Sequence, residues 1–251
     1  MSLSIVIITY NEERNIERCI KSVKHIADEI VVVDSYSTDN TVEICKQYNA
    51  SVILHKFESY GKQKLFAAEQ AKYDYILSLD ADEALSLELN NSIEKEKKFW
   101  SKPCYSFNIR NHYCGIPILH CGWYPDRHVR LYNRKVVNWT KKDVHESIEV
   151  HDKKMIKQLD GDLLHYTCTT IDEHKNKEKK YARINSDIIA SKGKKISFLT
   201  PYIKGAFRFF KTYIIKLGIL DGYYGFVISK TLAGSSYQKY SWARKQLKIK
   251  A

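Results

Sequence analysis

The stretch SIVIITYNEE, residues 4–13, decides how the beginning of the chain folds. Its first six residues are nearly all apolar and mostly β-branched, which is typical of a strand buried on both faces. Apolar positions then recur at Ile16, Cys19, Ile20 and Val23, the spacing of one face of a helix. The sequence therefore predicts a buried strand followed by a helix that covers it.

The same alternation continues through the first hundred residues. Apolar runs predict further strands at residues 30–33, 51–54 and 75–79, and helical spacing predicts helices at 38–48, 61–71 and 85–99. Alternating strands and helices favour an α/β fold with a mostly parallel central sheet flanked by helices. Period-two patterns at 105–113 and 128–132 predict antiparallel additions, and helices return from about residue 171.

Charge is unevenly distributed along the 251 residues, whose net charge is +12. Residues 1–164 hold 23 Lys and Arg against 24 Asp and Glu, whereas residues 165–251 hold 18 against 5. We therefore predict a nearly neutral working domain over 1–164, followed by a basic helical C-terminal extension over 165–251. Such an extension is expected to meet something anionic.

The cysteines and the hydropathy predict a cellular compartment. The six cysteines form no C-x-x-C pair, and the sequence does not start with a secretory segment, so we expect reduced thiols in the cytoplasm. The cysteines and histidines between residues 112 and 128 also lack the paired spacing of structural zinc sites. No apolar run approaches the roughly 20 residues of a membrane-spanning helix, so membrane association would be peripheral.

A second stretch, LSLDADEALS at residues 77–86, crowds three carboxylates directly after a predicted strand. Asp80, Asp82 and Glu83 have no basic residue nearer along the chain than Lys72 and Lys95. A hard divalent cation, Mg²⁺ or Mn²⁺, would relieve the repulsion because it prefers carboxylate oxygens. The alternative is an exposed acidic turn that caps the next helix.

Two other predicted strands also end in polar residues. Thr9 to Glu12 follow the first strand and Asp34 follows the second. Because ligands bind beyond the carboxyl ends of parallel strands, these residues and the acidic stretch are expected to share a crevice. Asp34 can accept a hydrogen bond from a base or a ribose hydroxyl there. The stretch after the first strand has no G-x-G-x-x-G, which argues against hydride transfer of the usual dinucleotide-binding kind.

Four blocks in this order resemble family 2 glycosyltransferases of the GT-A fold: Ile7-Ile-Thr-Tyr-Asn-Glu-Glu13, Val32-Val-Asp-Ser35, a basic helix with Lys62 and Lys64, and Leu79-Asp-Ala-Asp-Glu83. Three later blocks are similar to enzymes that add glucose to heptose in the lipopolysaccharide inner core: Pro125-Asp-Arg-His-Val-Arg-Leu131, Val144-His-Glu146 and Leu220-Asp-Gly222. The resemblance covers about residues 3–246. It implies a catalytic domain over 1–164, with a nucleotide-sugar half to about 100 and an acceptor half after it.

The resemblance also implies substrates and site residues. The donor would be a UDP-sugar, with glucose the expected sugar, and the acceptor a lipopolysaccharide-core or related glycolipid. Asp82 would bind a divalent metal, and Asp80 would reach the ribose or a metal-bound water. Lys64 matches a basic position of the family, although it can also be read as part of a solvated helix face. The uridine would be held by Thr9, Asn11, Glu12 and Asp34.

An inverting transferase also needs a general base for the acceptor hydroxyl. The resemblance places Glu146 there, with Asp143 as the second candidate; Glu146 can alternatively be a surface residue. Arg127 and Arg130 lie three apart in a predicted strand, so they point to opposite faces and one can contact phosphate. The Q-x-x-R-W box of longer family members is absent from this sequence.

A helix drawn over residues 202–217 places Lys204, Arg208 and Lys211 in one stripe. A basic amphipathic helix fits an anionic membrane surface, here the inner face of the cytoplasmic membrane. The alternatives are a helix packed on the domain with its charges in water and, from another functional class, a nucleic-acid-binding module without transferase activity. Because the sequence carries no nucleic-acid-binding motif, no nucleic acid partner is expected.

Overall fold

The computed structural model describes residues 1–140, 147–193 and 195–249. The chain divides into two compact units, one formed by residues 1–109 and 126–165 and the other by residues 110–125 and 166–251. The functional division at residue 164 stays a prediction.

A mixed sheet forms the centre of the first unit. The strands found among the described residues are β1 Leu3–Thr9, β2 Glu29–Asp34, β3 Ser51–Leu54, β4 Tyr75–Asp80, β5 Glu83–Leu85, β6 Cys104–Tyr113, β7 Ile116–Pro117, β8 Asp126–Asn133 and β9 Ile156–Cys168. The sheet order is β3-β2-β1-β4-β8-β6-β9-β5. The first four strands in this order are parallel, whereas β8 runs antiparallel to β4, and β6 antiparallel to β8. The predicted α/β fold with antiparallel additions is thus confirmed.

Both faces of the parallel strands are buried because apolar side chains point alternately to each side. Leu3, Ile5 and Ile7 of β1 belong to a core cluster that includes the apolar stripe of α1. Val6 and Ile8 point the other way, into a cluster that includes alanines of α3. The α-helices among the described residues of this unit are α1 Ile16–Val23, α2 Thr41–Gln47, α3 Tyr60–Gln70 and α4 Leu87–Lys97.

The sequence analysis missed three strands, β5, β9 and the two-residue β7. Residues 83–85 pair antiparallel with β9, with Glu83 opposite His165, so the helix predicted from residue 85 begins only at Leu87. The Ser86 side chain accepts a hydrogen bond from the Leu89 backbone N–H at 3.2 Å and caps that helix. A three-residue strand has no readable period, and its partner lies about 80 residues later along the chain.

The second unit is mainly helical, with α5 Ile171–Ser191, α6 Thr200–Phe210 and α7 Gly222–Ile249. Thr170 and Glu173 form a capping box at the start of α5. Both α5 and α6 pack against α7. The helix predicted over 202–217 ends earlier as an α-helix, because a π-helical turn follows at Lys211–Ile215 and Leu217 adopts a left-handed conformation. No helix in the described ranges is long and apolar enough to cross a bilayer.

Gly161 provides a test of how closely β9 approaches α4. Its φ is +92°, and an added Cβ would lie 2.2 Å from the backbone nitrogen of Leu89. We expect Gly161→Ala to lower the free energy of unfolding by about 3 kcal/mol or more, since left-handed strain adds to overpacking against backbone. Gly193→Ala is the control, because φ is +67° there but no atom lies within 4 Å. Urea denaturation measures both, and equal losses would contradict the close approach.

Candidate active site

The loops that follow β1 and β2 are tied to each other by hydrogen bonds between side chains and backbone. The Asn11 backbone N–H donates to Ser37 Oγ, and the Thr38 backbone N–H donates to Asn11 Oδ1, each at 2.8 Å. The Glu12 backbone N–H donates to Thr41 Oγ1, also at 2.8 Å. Asn11 adopts a φ of +54°, a conformation that asparagine tolerates better than most residues. The two loops therefore form one ordered rim.

The four residues predicted to hold uridine lie on these two strands and loops. Asp34 is fully buried, and its carboxylate accepts hydrogen bonds from the backbone N–H and the hydroxyl of Ser37, so it orders its own loop. Thr9 is also buried, and its Oγ1 has no hydrogen-bond partner among the described residues. Burial raises the pKa of Glu12, although a hydrogen bond from the Asn15 amide, at 2.7 Å, opposes the shift. Contacts of these residues with uridine stay a prediction.

Two tyrosines that the sequence analysis did not single out lie on the same loops. Tyr10 and Tyr36 are 57% and 56% exposed, which is unusual for large aromatic residues at the ends of buried strands. An exposed aromatic ring offers a flat face on which a nucleobase can stack. Tyr10 stands inside the first sequence block, but only its exposure identifies it as a candidate.

The acidic stretch after β4 is neutralised by side chains from distant parts of the chain. Lys64 Nζ of α3 lies 3.1 Å from an Asp80 carboxylate oxygen. Arg130 of β8 reaches Glu83 Oε1 at 2.9 Å and Asp80 Oδ2 at 3.6 Å. The His165 Nε2 of β9 lies 3.2 Å from Asp82 Oδ2. The repulsion evident in the sequence is therefore offset by the fold.

The surroundings move the pKa values of these groups in different directions. Burial favours the neutral form of Asp80, but Lys64 and Arg130 outweigh it and hold its pKa at about 2. Burial raises the pKa of Glu83 even though Arg130 opposes the shift. Burial alone would lower the pKa of His165, but the hydrogen bond with Asp82 and the negative charges of the acidic cluster together outweigh burial, so the pKa is raised. Asp80 thus stays ionised at neutral pH.

Arg127 and Arg130 differ in burial, as expected for residues three apart on a strand, which point to opposite faces. Arg130 is 8% exposed, whereas Arg127 is exposed. The ring of Trp139 lies 5.7 Å from the Arg130 guanidinium carbon and 5.0 Å from Lys64 Nζ, close enough for cation–π contacts with both. Lys64 is 3% exposed, so the interpretation as a solvated helix face is wrong. Contacts of either arginine with phosphate stay a prediction.

Asp82 and His165 are the side chains best placed to hold a metal. Their donor atoms lie 3.2 Å apart, and the side chains are 24% and 26% exposed. Across the described part of the chain no group of three or more acidic, histidine or cysteine side chains is arranged around one point. Two protein ligands still suit Mg²⁺ or Mn²⁺, because such ions keep water and phosphate oxygens in their shell. The register between β5 and β9 brings His165 here, which no local pattern revealed.

Glu146 and Asp143, the two candidate bases, lie outside the described residues. The residues on either side of that segment are described, and they lie together. The Thr140 backbone N–H donates to the Ser147 carbonyl at 3.0 Å, and Trp139 forms an isolated bridge with Ile148. The Trp139 ring also lies 5.0 Å from Lys64 Nζ, so residues 139, 140, 147 and 148 lie near the acidic cluster.

In α/β sheets ligands bind beyond the carboxyl ends of the parallel strands, which is where this chain has its acidic cluster and tied loops. Residues 4–116 match the model of the family described as Glycosyl transferase family 2. An uncharacterised glycosyltransferase of Rickettsia typhi is 33% identical over 99% of this chain and 88% of its own length. The chain therefore belongs to glycosyltransferase family 2, which confirms the resemblance and the class of enzyme.

Two further similarities were found. The lipopolysaccharide core biosynthesis glycosyltransferase LpsC of Rhizobium meliloti is 28% identical, over 96% of this chain and 94% of its own length. The crystal structure of TarS from S. aureus superposes with a TM-score of 0.46 and 16% identity, over 74% of this chain and 40% of that chain.

The pair Arg130 and Glu83 predicts a large loss of stability when it is broken. Arg130→Met leaves the 1% exposed Glu83 carboxylate without its cation, so we expect the free energy of unfolding to fall by about 3–5 kcal/mol. Arg127→Met, on the same strand but exposed, should change it by no more than about 0.5 kcal/mol. Urea denaturation compares the two. A parent-like Arg130→Met variant would show that the pair does not stabilise the fold.

Proposed function

We propose that the protein is a metal-dependent, inverting glycosyltransferase that moves a hexose, with glucose the expected sugar, from a UDP-sugar to a lipopolysaccharide-core or related glycolipid acceptor. The observation that carries the proposal is the acidic cluster, which a Lys, an Arg and a His contact at the end of the parallel strands. The acceptor is supported by similarity to LpsC, which is named for lipopolysaccharide core biosynthesis.

Charge balance supports a metal. Three carboxylates face two permanent cations, Lys64 and Arg130, in this cluster. The UDP diphosphate is itself anionic, so its binding beside such a cluster requires additional positive charge. A divalent cation on Asp82 and His165 would supply it and, as a Lewis acid, would stabilise the leaving diphosphate.

The rim of tied loops is proposed to bind the nucleoside. The uracil ring would stack on Tyr10 or Tyr36, whose faces are exposed, while Asn11 and Glu12 offer polar atoms from the same loop. Thr9 and Asp34 are proposed to support this rim from beneath. The hydrogen bonds that Asp34 accepts from Ser37 fit such a supporting role, because they hold its carboxylate within its own loop.

The transfer itself needs one proton acceptor from the protein. We propose that Glu146, or Asp143 as the second candidate, takes the proton of the acceptor hydroxyl. The hydroxyl oxygen then bonds to the anomeric carbon while the bond from that carbon to the diphosphate oxygen breaks on the opposite face, which inverts the configuration. Lys64 and Arg130 are proposed to stabilise the departing phosphate charge.

A glycolipid acceptor would place the enzyme at a membrane. We propose that it acts peripherally on the inner face of the cytoplasmic membrane, supported by the 18 basic against 5 acidic residues of 165–251. Membership of a glycosyltransferase family overturns the alternative of a binding module without transferase activity. The acidic cluster would also repel a nucleic acid backbone.

Titration calorimetry with UDP tests the donor and the metal together. We expect the parent to bind UDP with Mn²⁺ and poorly without it. Asp82→Asn should weaken the Mn²⁺-dependent binding by about tenfold or more, because an amide is a poorer ligand for a hard cation. His165→Gln should behave alike, whereas Asp160→Asn, an exposed position on β9, should match the parent. Metal-independent UDP binding by the parent would contradict the proposed metal.

The rate of glucose transfer tests which residue is the general base. Glu146→Gln should bind UDP-glucose like the parent but transfer glucose about 10² to 10⁴ times more slowly, because the proton acceptor is lost. Asp143→Asn is the matched variant. Labelled UDP-glucose and truncated lipopolysaccharides provide the assay. Near-parental turnover by Glu146→Gln together with a slow Asp143→Asn would assign the base to Asp143 instead.

A further inference from the structure

Helix α6 of the second unit is apolar on the side that faces away from its packing partner. Ile203, Phe207 and Phe210 are 61%, 56% and 51% exposed. At about 100° per residue these three positions fall within an arc of roughly 60°. The opposite side of the helix contains Pro201 and Gly205, which are buried. An added Cβ at Gly205 would lie 3.3 Å from atoms of α7, so this opposite side is the one that packs.

The exposed apolar surface continues beyond the end of α6. Through the π-turn, the 3-10 turn and the start of α7, the exposed residues are Ile214, Ile215, Leu217, Ile219, Leu220 and Tyr223, each between 45% and 67% exposed. We call this set, together with Ile203, Phe207 and Phe210, the apolar ridge. Monomeric proteins scatter exposed apolar residues singly, so nine of them between residues 203 and 223 indicate an interaction surface.

Cations border the ridge. Lys204 and Arg208 of α6 lie beside it, as does Lys211 of the π-turn, and the three line a groove of about 360 Å³. Lys239 of α7 lines the same groove, and Glu178 is the acidic residue among its walls. Lys239 and Lys204 lie 5.2 and 5.9 Å from the ring centre of Tyr240. The groove is therefore cationic, with an aromatic wall.

The ridge itself carries almost no negative charge. Between residues 198 and 223 the sequence contains one acidic residue, Asp221. Its side chain is 5% exposed and accepts hydrogen bonds from the backbone N–H groups of Leu119 and His120, at 3.2 and 2.9 Å. An occupant of the ridge would therefore meet apolar side chains with lysines and arginines beside them, and Glu178 is the carboxylate on the wall of the neighbouring groove.

These features fit a bilayer better than a second copy of the chain. A two-fold dimer places the same patch against itself, which would bring two cationic stripes together. An anionic bilayer offers acyl chains for the ridge and phosphates for the bordering cations at the same depth. We propose that the ridge inserts among the acyl chains of an anionic bilayer, while the cationic groove receives a lipid phosphate.

This inference goes beyond attraction of a basic surface to a membrane, because it assigns a distinct part of the binding to apolar insertion. The two modes differ in their response to salt. Screening at high ionic strength removes long-range attraction between exposed charges but leaves burial of apolar surface intact. The inference also does not depend on the donor or the metal proposed above.

Flotation with phospholipid vesicles tests the proposal on the full chain. The parent should bind phosphatidylcholine vesicles that contain about 30% phosphatidylglycerol, and at about 0.5 M salt this binding should fall to the level of the apolar contribution but stay measurable. The triple variant Ile203→Gln, Phe207→Gln, Phe210→Gln should partition at least about tenfold less, because buried apolar area is lost. The control Leu87→Gln, Phe99→Gln changes residues of the first unit that are 76% and 79% exposed, and should bind like the parent.

A charge variant separates the two contributions. Lys204→Gln, Arg208→Gln, Lys211→Gln should lose its preference for anionic over neutral vesicles by a factor on the order of 100, since each cation contributes roughly fivefold. Its weak binding to neutral vesicles should be retained. If the apolar triple variant does not fold, Phe207→Gln alone should still show a several-fold loss.

Three results would overturn the proposal. One is parental vesicle binding that disappears completely at high salt, and another is an apolar variant that partitions like the parent. The third is a dimeric parent, without vesicles, that the apolar variant converts to a monomer, since the ridge would then cover a second copy. UDP titration of the same samples is the separate measurement: a parent that fails to bind UDP would contradict the proposed donor and leave the vesicle result unaffected.

Discussion

The buried contact between Arg130 and Glu83 is the constraint on which the first unit depends. Glu83 accepts the Asp80 backbone N–H at 2.8 Å and meets the Arg130 guanidinium at 2.9 Å, so one carboxylate fixes the turn after β4 and anchors β8 to it. The same guanidinium reaches Asp80. Because a buried carboxylate without a partner is costly, the acidic turn is compatible only with a sheet that brings β8 beside β4.

The contacts around the acidic turn stabilise the fold and also shape the candidate active site. Lys64, Arg130 and His165 come from a helix and two strands that are far apart in sequence. Lys64 contacts Asp80, Arg130 contacts Glu83 and Asp80, and His165 contacts Asp82. Asp80 is held ionised, whereas Asp82 stays partly exposed and is contacted by the His165 imidazole. The fold thus supplies enough positive charge to bury the turn and leaves one carboxylate accessible for a ligand.

Local patterns predicted the first half of the chain well because the spacing of neighbouring apolar residues determines its strands and helices. The four apolar positions of α1 are all buried, and the parallel strands lie where continuous apolar runs placed them. Long-range register could not be predicted. His165 meets Asp82 only because β5 pairs with β9, and Lys64 meets Asp80 only because α3 packs beside β4. Similarly, the amphipathic pattern of α6 could not reveal which of its apolar residues α7 would cover, since both sets recur with helical spacing.

The hydrogen bonds between the loops that follow β1 and β2 limit which changes in loop length this protein can tolerate. Asn11 bonds to Ser37 and Thr38, and Glu12 bonds to Thr41, so a change of length in either loop would remove partners from the other. Substitutions that preserve the backbone, such as those at the exposed Tyr10 and Tyr36, leave these bonds in place. Transplanting one of these loops from a relative would therefore require transplanting the other loop as well. The two loops therefore form a single structural unit, in which side chains can change more freely than the backbone conformation.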